Sequence, residues 1–301
     1  MAKKSSLVVN LEYAALRFFC ALVNFIPYRV AMIMASFIGV IVVDVFRLKR
    51  KRTIERLKSV FPNKSNSELR YIARRSFINI LKTGVEMIRA PRLSRGWMDK
   101  FVVDGKLYKD KLQEYVDEGK GVVIMVPHTG NWYMAAWSMA KYGLQLSALA
   151  ARQRNPKIDA WMKSQYGQIN VIDRSNKDAL SKIKQCLLSG GAFAILPDLR
   201  VNKRDVEVDF LGGKANVSHS GAMFAVYTGA PIVVAAMRRE NGKHVFTHLA
   251  TLRPDTEAKD KRAEACRLTK QAMSYLDGFV HRHPGEWFWY NKRWILQPPS
   301  K

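Results

Sequence analysis

The chain of 301 residues is poor in cysteine and in negative charge. Cys20, Cys186 and Cys266 stand far apart, with neither a CxxC nor a CxH spacing. That excludes a disulfide framework and a clustered zinc site as organising devices, and it suits a reducing compartment. Asp and Glu number 25 against 50 Lys and Arg, a net charge of +25. Such an excess calls for an anionic partner: nucleic acid, acidic lipid or an acidic protein. No helix-turn-helix, zinc-finger or RNP signature accompanies the charge, so nucleic acid is not the expected one. Also missing are a Gly-x-Ser-x-Gly elbow, an HExxH pair and any internal repeat. A hydrolase nucleophile turn, a zincin site and a solenoid are thereby set aside. A hydrophobic share of 48 % excludes a disordered basic tail.

The charge is uneven. Residues 1–100 hold 20 Lys/Arg against 6 Asp/Glu, and the other 201 hold 30 against 19. The longest apolar runs lie in the same first third. Leu7 to Ile26 is mostly apolar but carries Glu12, Arg17 and Asn24, so it reads as amphipathic. Val30 to Phe46 has one charge, Asp44, in 17 residues, close to the ~20 apolar residues a spanning helix needs. Arg47, Lys49, Arg50, Lys51, Arg52, Arg56 and Lys58 follow at once. Under the positive-inside rule this cluster is cytoplasmic, near anionic headgroups, and the Lys3-Lys4 pair is too small to compete. No small-residue cleavage site follows a short apolar core, so no cleaved leader is expected. Residues 1–58 are therefore read as membrane-associated apolar helices with a basic cluster, and 59–301 as an α/β domain.

Within 59–301, Ser65 to Ile88 has helical spacing after a capping residue. From Phe101 on, short apolar runs alternate with amphipathic ones. Residues 121–127, 145–150, 170–172, 192–197 and 231–237 read as strands; 131–142, 156–166, 177–188 and 220–227 read as helices. That alternation predicts an α/β fold, a mixed sheet flanked by helices. The tail Trp287 to Trp294, WFWYNKRW, suits an interfacial anchor or a core-closing strand.

The segment VVIMVPHTGNWYMAAW, Val122 to Trp137, carries the chemistry. An apolar strand ends at Pro127, His128 sits on the turn, and Gly130-Asn131 opens a helix. In open α/β sheets ligands bind at the carboxyl ends of strands, so His128 is a candidate general base. Strand-His-x-Gly-Asn-Trp-helix resembles the H-x4-D/E box of the bacterial lipid A late acyltransferases, the lauroyl/myristoyl group of the lysophospholipid acyltransferase superfamily. Further segments resemble that family in the same order: Phe61-Pro62-Asn63-Lys64, Ala151-Arg152-Gln153-Arg154-Asn155-Pro156, Ile172-Asp173-Arg174, Pro197-Asp198 and Asp209-Phe210-Leu211-Gly212. The resemblance covers roughly residues 10 to 295 and implies a glycerolipid acyltransferase-like fold. It also implies a membrane-bound acyltransferase moving a fatty acyl chain from acyl carrier protein or coenzyme A to a phosphorylated glycolipid, a lipid A precursor or relative. The implied place is the cytoplasmic face of a bacterial inner membrane, with no metal and no cofactor beyond the acyl donor.

One position departs from the family pattern. The acid of the box is here Tyr133, whose phenol is uncharged near neutral pH. Three explanations follow: Asp198, at the end of another strand, supplies the carboxylate; His128 works with Tyr133 and a backbone carbonyl as partners; or the protein is a catalytically silent homologue that binds lipid or assists assembly. The candidate catalytic residues are thus His128, Asp198 and Tyr133. Asn131, Arg152, Arg154 and Arg174 are the candidate substrate-binding residues, Asn131 also as a helix cap and the arginines as partners for phosphate.

Overall fold

The computed structural model describes residues 5–297, so Lys3 and Lys4 lie outside the described residues. Helices α1 (Ser6–Phe25) and α2 (Tyr28–Val40) come first, and α2 runs on as a wider π turn over Ile41–Val45. Then follow α3 (Arg50–Val60), α4 (Asn66–Arg89), α5 (Arg95–Phe101), β1 (Val102–Val103), α6 (Gly105–Asp117), β2 (Val122–Met125), α7 (Trp132–Lys141), β3 (Leu146–Ala150) and α8 (Pro156–Gln165). The remainder is β4 (Asn170–Asp173), α9 (Ala179–Leu188), β5 (Ala192–Ile195), β6 (Val206–Phe210), β7 (Gly213–Val217), α10 (Ser220–Thr228), β8 (Ile232–Glu240), β9 (Lys243–Leu252) and α11 (Lys261–Arg282). The expected strands and helices are all present with small shifts at their ends, while α3, α5, β1, α6, the β6–β7 hairpin, β9 and α11 had no counterpart in the reading of the sequence.

The main sheet has the order β1-β9-β8-β2-β5-β3-β4. Strands β8, β2, β5, β3 and β4 run parallel, and β9 returns antiparallel to β8. The α/β expectation of a mixed sheet between helices is met. Alternation along β2 divides the interior: Val123 and Met125 enter one core with Phe193, Leu187 and Leu276, while Val122 and Ile124 enter the other with Met134, Trp137 and Met139. Both faces of the parallel strands are covered, which is why β2 reads as a continuous apolar run.

Packing runs across residue 58. Leu57 of α3 is fully buried in the first core, and Arg56 donates to the Trp289 and Asn291 carbonyls while stacking over Trp294. The aromatic tail thus closes the core: Trp287 and Trp289 are buried. The two apolar segments, Ser6–Phe25 and Tyr28–Val45, are long and apolar enough to cross a bilayer, and only 11 % and 22 % of their apolar windows are buried. Yet α1 is held to the body near both ends. Asn155 donates to the Val9 carbonyl and to Glu12, and Arg89 donates to the carbonyls of Val23, Asn24 and Ile26. A helix pinned at residues 9–12 and again at 23–26, ~20 Å apart, lies along the domain rather than projecting from it. Phe18, Phe25, Ile33 and Phe37 remain exposed on the outer face.

Candidate active site

Two neighbouring strands build the site by register. Met125 of β2 pairs with Ile195 of β5 in a parallel ladder, and each strand continues with an apolar residue, a proline and a polar residue. Val126-Pro127-His128 and Leu196-Pro197-Asp198 therefore run side by side, with Val126 N donating to the Ile195 carbonyl. The same offset of three residues brings His128 against Asp198. One carboxylate oxygen accepts from the His128 backbone N–H at 2.7 Å, and the other meets His128 Nδ1 at 2.6 Å. Trp287 Nε1 donates to Asp198 Oδ2 at 2.8 Å. Asp198 is fully buried, whereas the His128 side chain is 15 % exposed.

The electrostatics follow. Burial alone would raise the Asp198 carboxyl pKa, but charge on the adjacent imidazole and the three hydrogen bonds outweigh it and hold the group below its ordinary value. The anion therefore persists in the interior and accepts Nδ1–H. When the imidazole is neutral, that bond selects the tautomer whose lone pair is on Nε2.

The turn that carries His128 is set by sequence at two positions. Gly130 has φ +54°, and a Cβ there would lie 2.4 Å from the Met237 carbonyl oxygen, so backbone packs where a side chain would stand. Asn131 caps α7, its Oδ1 accepting from Met134 N at 2.8 Å while its Nδ2 donates to Glu86 at 2.6 Å. Asn131 is fully buried. Both ends of its amide are committed within the protein, so its place is in the turn and not on a ligand.

Tyr133, one step further, points elsewhere. Its phenol donates to the Gln165 carbonyl at 2.9 Å, beside Tyr166, and burial pushes its pKa up. The expectation that His128 works with Tyr133 meets a correction: the carboxylate paired with the imidazole is Asp198, and Tyr133 forms wall. The reason is helical geometry, since successive side chains on the first turn of α7 point different ways: Trp132 meets the His128 ring, and Tyr133 turns toward the end of α8.

That wall belongs to an apolar cavity of about 250 Å³ between the sheet and helices α4, α6, α7 and α8. Met87, Tyr108, Ile124, Trp132, Met139 and Phe246 line it. So do Val126 and Leu196, each two residues before a member of the His128–Asp198 pair, and Trp132 meets the His128 ring edge-on at 5.1 Å. Met134 and Trp137 of the same helix are ordinary buried core. Nearly all of its lining is apolar, the kind of surface that suits an apolar ligand.

Arg152 and Arg154 follow β3, and Arg174 follows β4. The two strands pair in register at Ala150 and Asp173, so all three arginines gather at the same carboxyl edge of the sheet as His128. Each is exposed; Arg152 lies 3.9 Å from Asp159. Among the described residues no group of His, Cys, Asp and Glu is arranged to hold a metal ion.

Reading the sequence missed Trp287, Glu86 and Arg239. The indole signal was visible as the aromatic tail, but nothing in a sequence links residue 287 to 198. Glu86 lies inside a helix, where an isolated charge in an apolar pattern was the hint; Arg239 stands in the charged run Arg238-Arg239-Glu240 at the end of β8, which gives no sign that one of the three turns inward.

The chain is 25 % identical over 248 residues to a lipid A biosynthesis acyltransferase 2 from Shigella flexneri, covering 82 % of this chain and 77 % of that one. It is 22 % identical over 194 residues to a phosphatidylinositol mannoside acyltransferase from Mycolicibacterium smegmatis, covering 62 % of this chain and 60 % of the relative's length. Among solved structures it is similar to the 1-acyl-sn-glycerophosphate acyltransferase PlsC from Thermotoga maritima, at 12 % identity and a TM-score of 0.40, over 87 % of this chain and 99 % of that one. The sequence model of bacterial lipid A biosynthesis acyltransferases matches residues 1–295, essentially the whole chain from the apolar helices to the aromatic tail, and the chain belongs to that family.

Proposed function

We propose that the protein transfers a fatty acyl chain from a thioester, on acyl carrier protein or coenzyme A, to a hydroxyl of a phosphorylated glycolipid, with His128 as general base. One observation carries this reading: an imidazole oriented by a buried carboxylate beside an apolar cavity. His128 Nε2 takes the alcohol proton as the oxygen attacks the thioester carbonyl. Collapse of the tetrahedral adduct breaks the C–S bond, and the proton passes from the imidazolium to the departing sulfur. Asp198 stays ionised and stabilises the imidazolium, as in hydrolase triads. Arg152, Arg154 and Arg174 would meet the phosphate of the headgroup or of the donor's pantetheine arm.

A lipid A precursor or a mannoside-type glycolipid fits the names of the relatives. The cytoplasmic face of a bacterial inner membrane is the setting that suits a charge of +25 beside exposed Phe18, Phe25, Ile33 and Phe37. An acidic carrier protein suits the same charge.

Purified protein incubated with labelled acyl carrier protein and a lipid A precursor should yield acylated lipid, and His128→Ala should abolish it. Absence of turnover with any glycolipid acceptor, despite lipid binding, would instead support a silent lipid-binding or assembly role. That second reading draws on Tyr133 alone; the Asp198 pairing favours the first.

A further inference from the structure

The apolar helices and the catalytic turn meet at one buried carboxylate. Glu86, in the last turns of α4, is fully buried and is met by five polar atoms from four parts of the chain. Tyr28 of α2 donates at 2.8 Å, Asn131 of the His128 turn at 2.6 Å, Arg239 at the end of β8 with both terminal nitrogens at 2.7 and 2.6 Å, and His244 of β9 lies at 3.1 Å. The shell around it grips the same turn from the other side. Arg239 Nε donates to Asn79, and Asn79 and Thr83 both donate to the Gly130 carbonyl, at 3.0 and 3.1 Å. Gly130 N donates in turn to the Glu286 carbonyl at 3.1 Å.

A charge in such a place is costly unless every partner is present. The cost makes the network close in one arrangement, and that arrangement fixes Gly130-Asn131, the two residues that follow Thr129 and hold His128 in place. Tyr28 is the point of entry from the apolar side. It opens α2 directly after the α1–α2 joint, whose last carbonyls are bound by Arg89 one turn along α4 from Glu86. Trp97 and Phe101 pack on its ring. A force on α1 and α2, whose outer faces offer Phe18, Phe25, Ile33 and Phe37 to a bilayer, reaches the turn through two hydrogen bonds.

We propose that Glu86 is a positioning residue for the His128 turn, and that its bond from Tyr28 makes the order of that turn depend on how α1 and α2 are seated. For its kinetic arm this rests on the acyl-transfer reading; its exchange arm does not. Residues 126–135 would be followed by amide hydrogen exchange in the full chain, free in detergent and on phosphatidylethanolamine–phosphatidylglycerol vesicles. In wild type, vesicles should slow exchange in that segment. Tyr28→Phe should speed it there and leave α10 and α11 unchanged, while kcat falls about tenfold with KM within about twofold, the size of one lost bond to a charged group. Glu86→Gln should show the same pattern more strongly; if it fails to fold, Tyr28→Phe still decides. Segment exchange indifferent both to vesicles and to Tyr28→Phe would overturn the proposal. So would exchange that rises throughout the molecule, which would make Tyr28 a packing residue only. Inactive wild-type protein would remove the acyl-transfer reading and leave the exchange result to stand on its own.

Discussion

Two imidazole–carboxylate pairs in this chain are wired alike. Asp198 meets the backbone N–H and Nδ1 of His128, and Asp205 meets the same two atoms of His219 at the start of α10. Their surroundings differ. Asp198 is fully buried, holds a third donor in Trp287, and sits beside the apolar cavity. Asp205 is 18 % exposed and His219 21 %. Water can compete for the second pair, and its sequence neighbours do not line that cavity, whereas Val126, Trp132 and Leu196 beside the first pair do. A His–Asp contact is therefore not a site in itself; burial of the carboxylate and a place for the substrate make it one.

That contrast can be broken in order of effect. His128→Ala should abolish acyl transfer, and Asp198→Asn should lower kcat roughly 10³–10⁴-fold, the loss seen when an orienting carboxylate is replaced; thermal melting would show both still folded. Trp287→Phe removes one donor to a buried anion and should cost about tenfold in kcat with little change in KM. Ala136→Phe, narrowing the cavity, should lower kcat/KM for the longest accepted acyl chain by about tenfold and spare short ones, read with a series of donors. His219→Ala should stay within about twofold of wild type. A larger loss there would mean the second pair takes part and the distinction by burial is mistaken.

Asp198 also sets a pH signature. Its pKa is lower folded than the ordinary value of about 3.9, so it binds protons more readily unfolded. The stability it supplies is fully present above the unfolded value and is lost as pH falls through the lower folded one. Between about pH 5 and about pH 2, the wild-type melting temperature should fall more steeply than that of Asp198→Asn.

Tyr133→Glu offers a smaller test with an informative sign. As a repair of the H-x4-D/E box it would be expected to raise activity. In the structure the position faces Gln165, Tyr166 and the cavity wall, so a carboxylate there would be buried without a cation and should lower stability without helping His128.

Much of the fold was legible because its signals are local. The runs GVVIMVP and GAFAILP announce parallel strands, and the proline that ends each one places His128 and Asp198 at equal distances beyond a strand. The family resemblance, the membrane-facing first third and the α/β alternation follow from such patterns. Strand β9, KHVFTHLATL, was not legible, because its histidines and threonines break up the apolar run and its place in the sheet comes from pairing with β8. The cap role of Asn131 could be named from its position, but its second bond to Glu86 could not.

The sequence by itself determined where strands end, which residues stand on those ends, and which segments are apolar and which basic, because periodicity and composition act over a few residues. Tertiary structure alone decided which carboxylate the imidazole takes, that α1 lies along the body, and that Tyr28, Glu86 and Arg239 converge behind the turn. Those outcomes depend on strand register and on burial, and both arise only when residues scores of positions apart are brought together away from water.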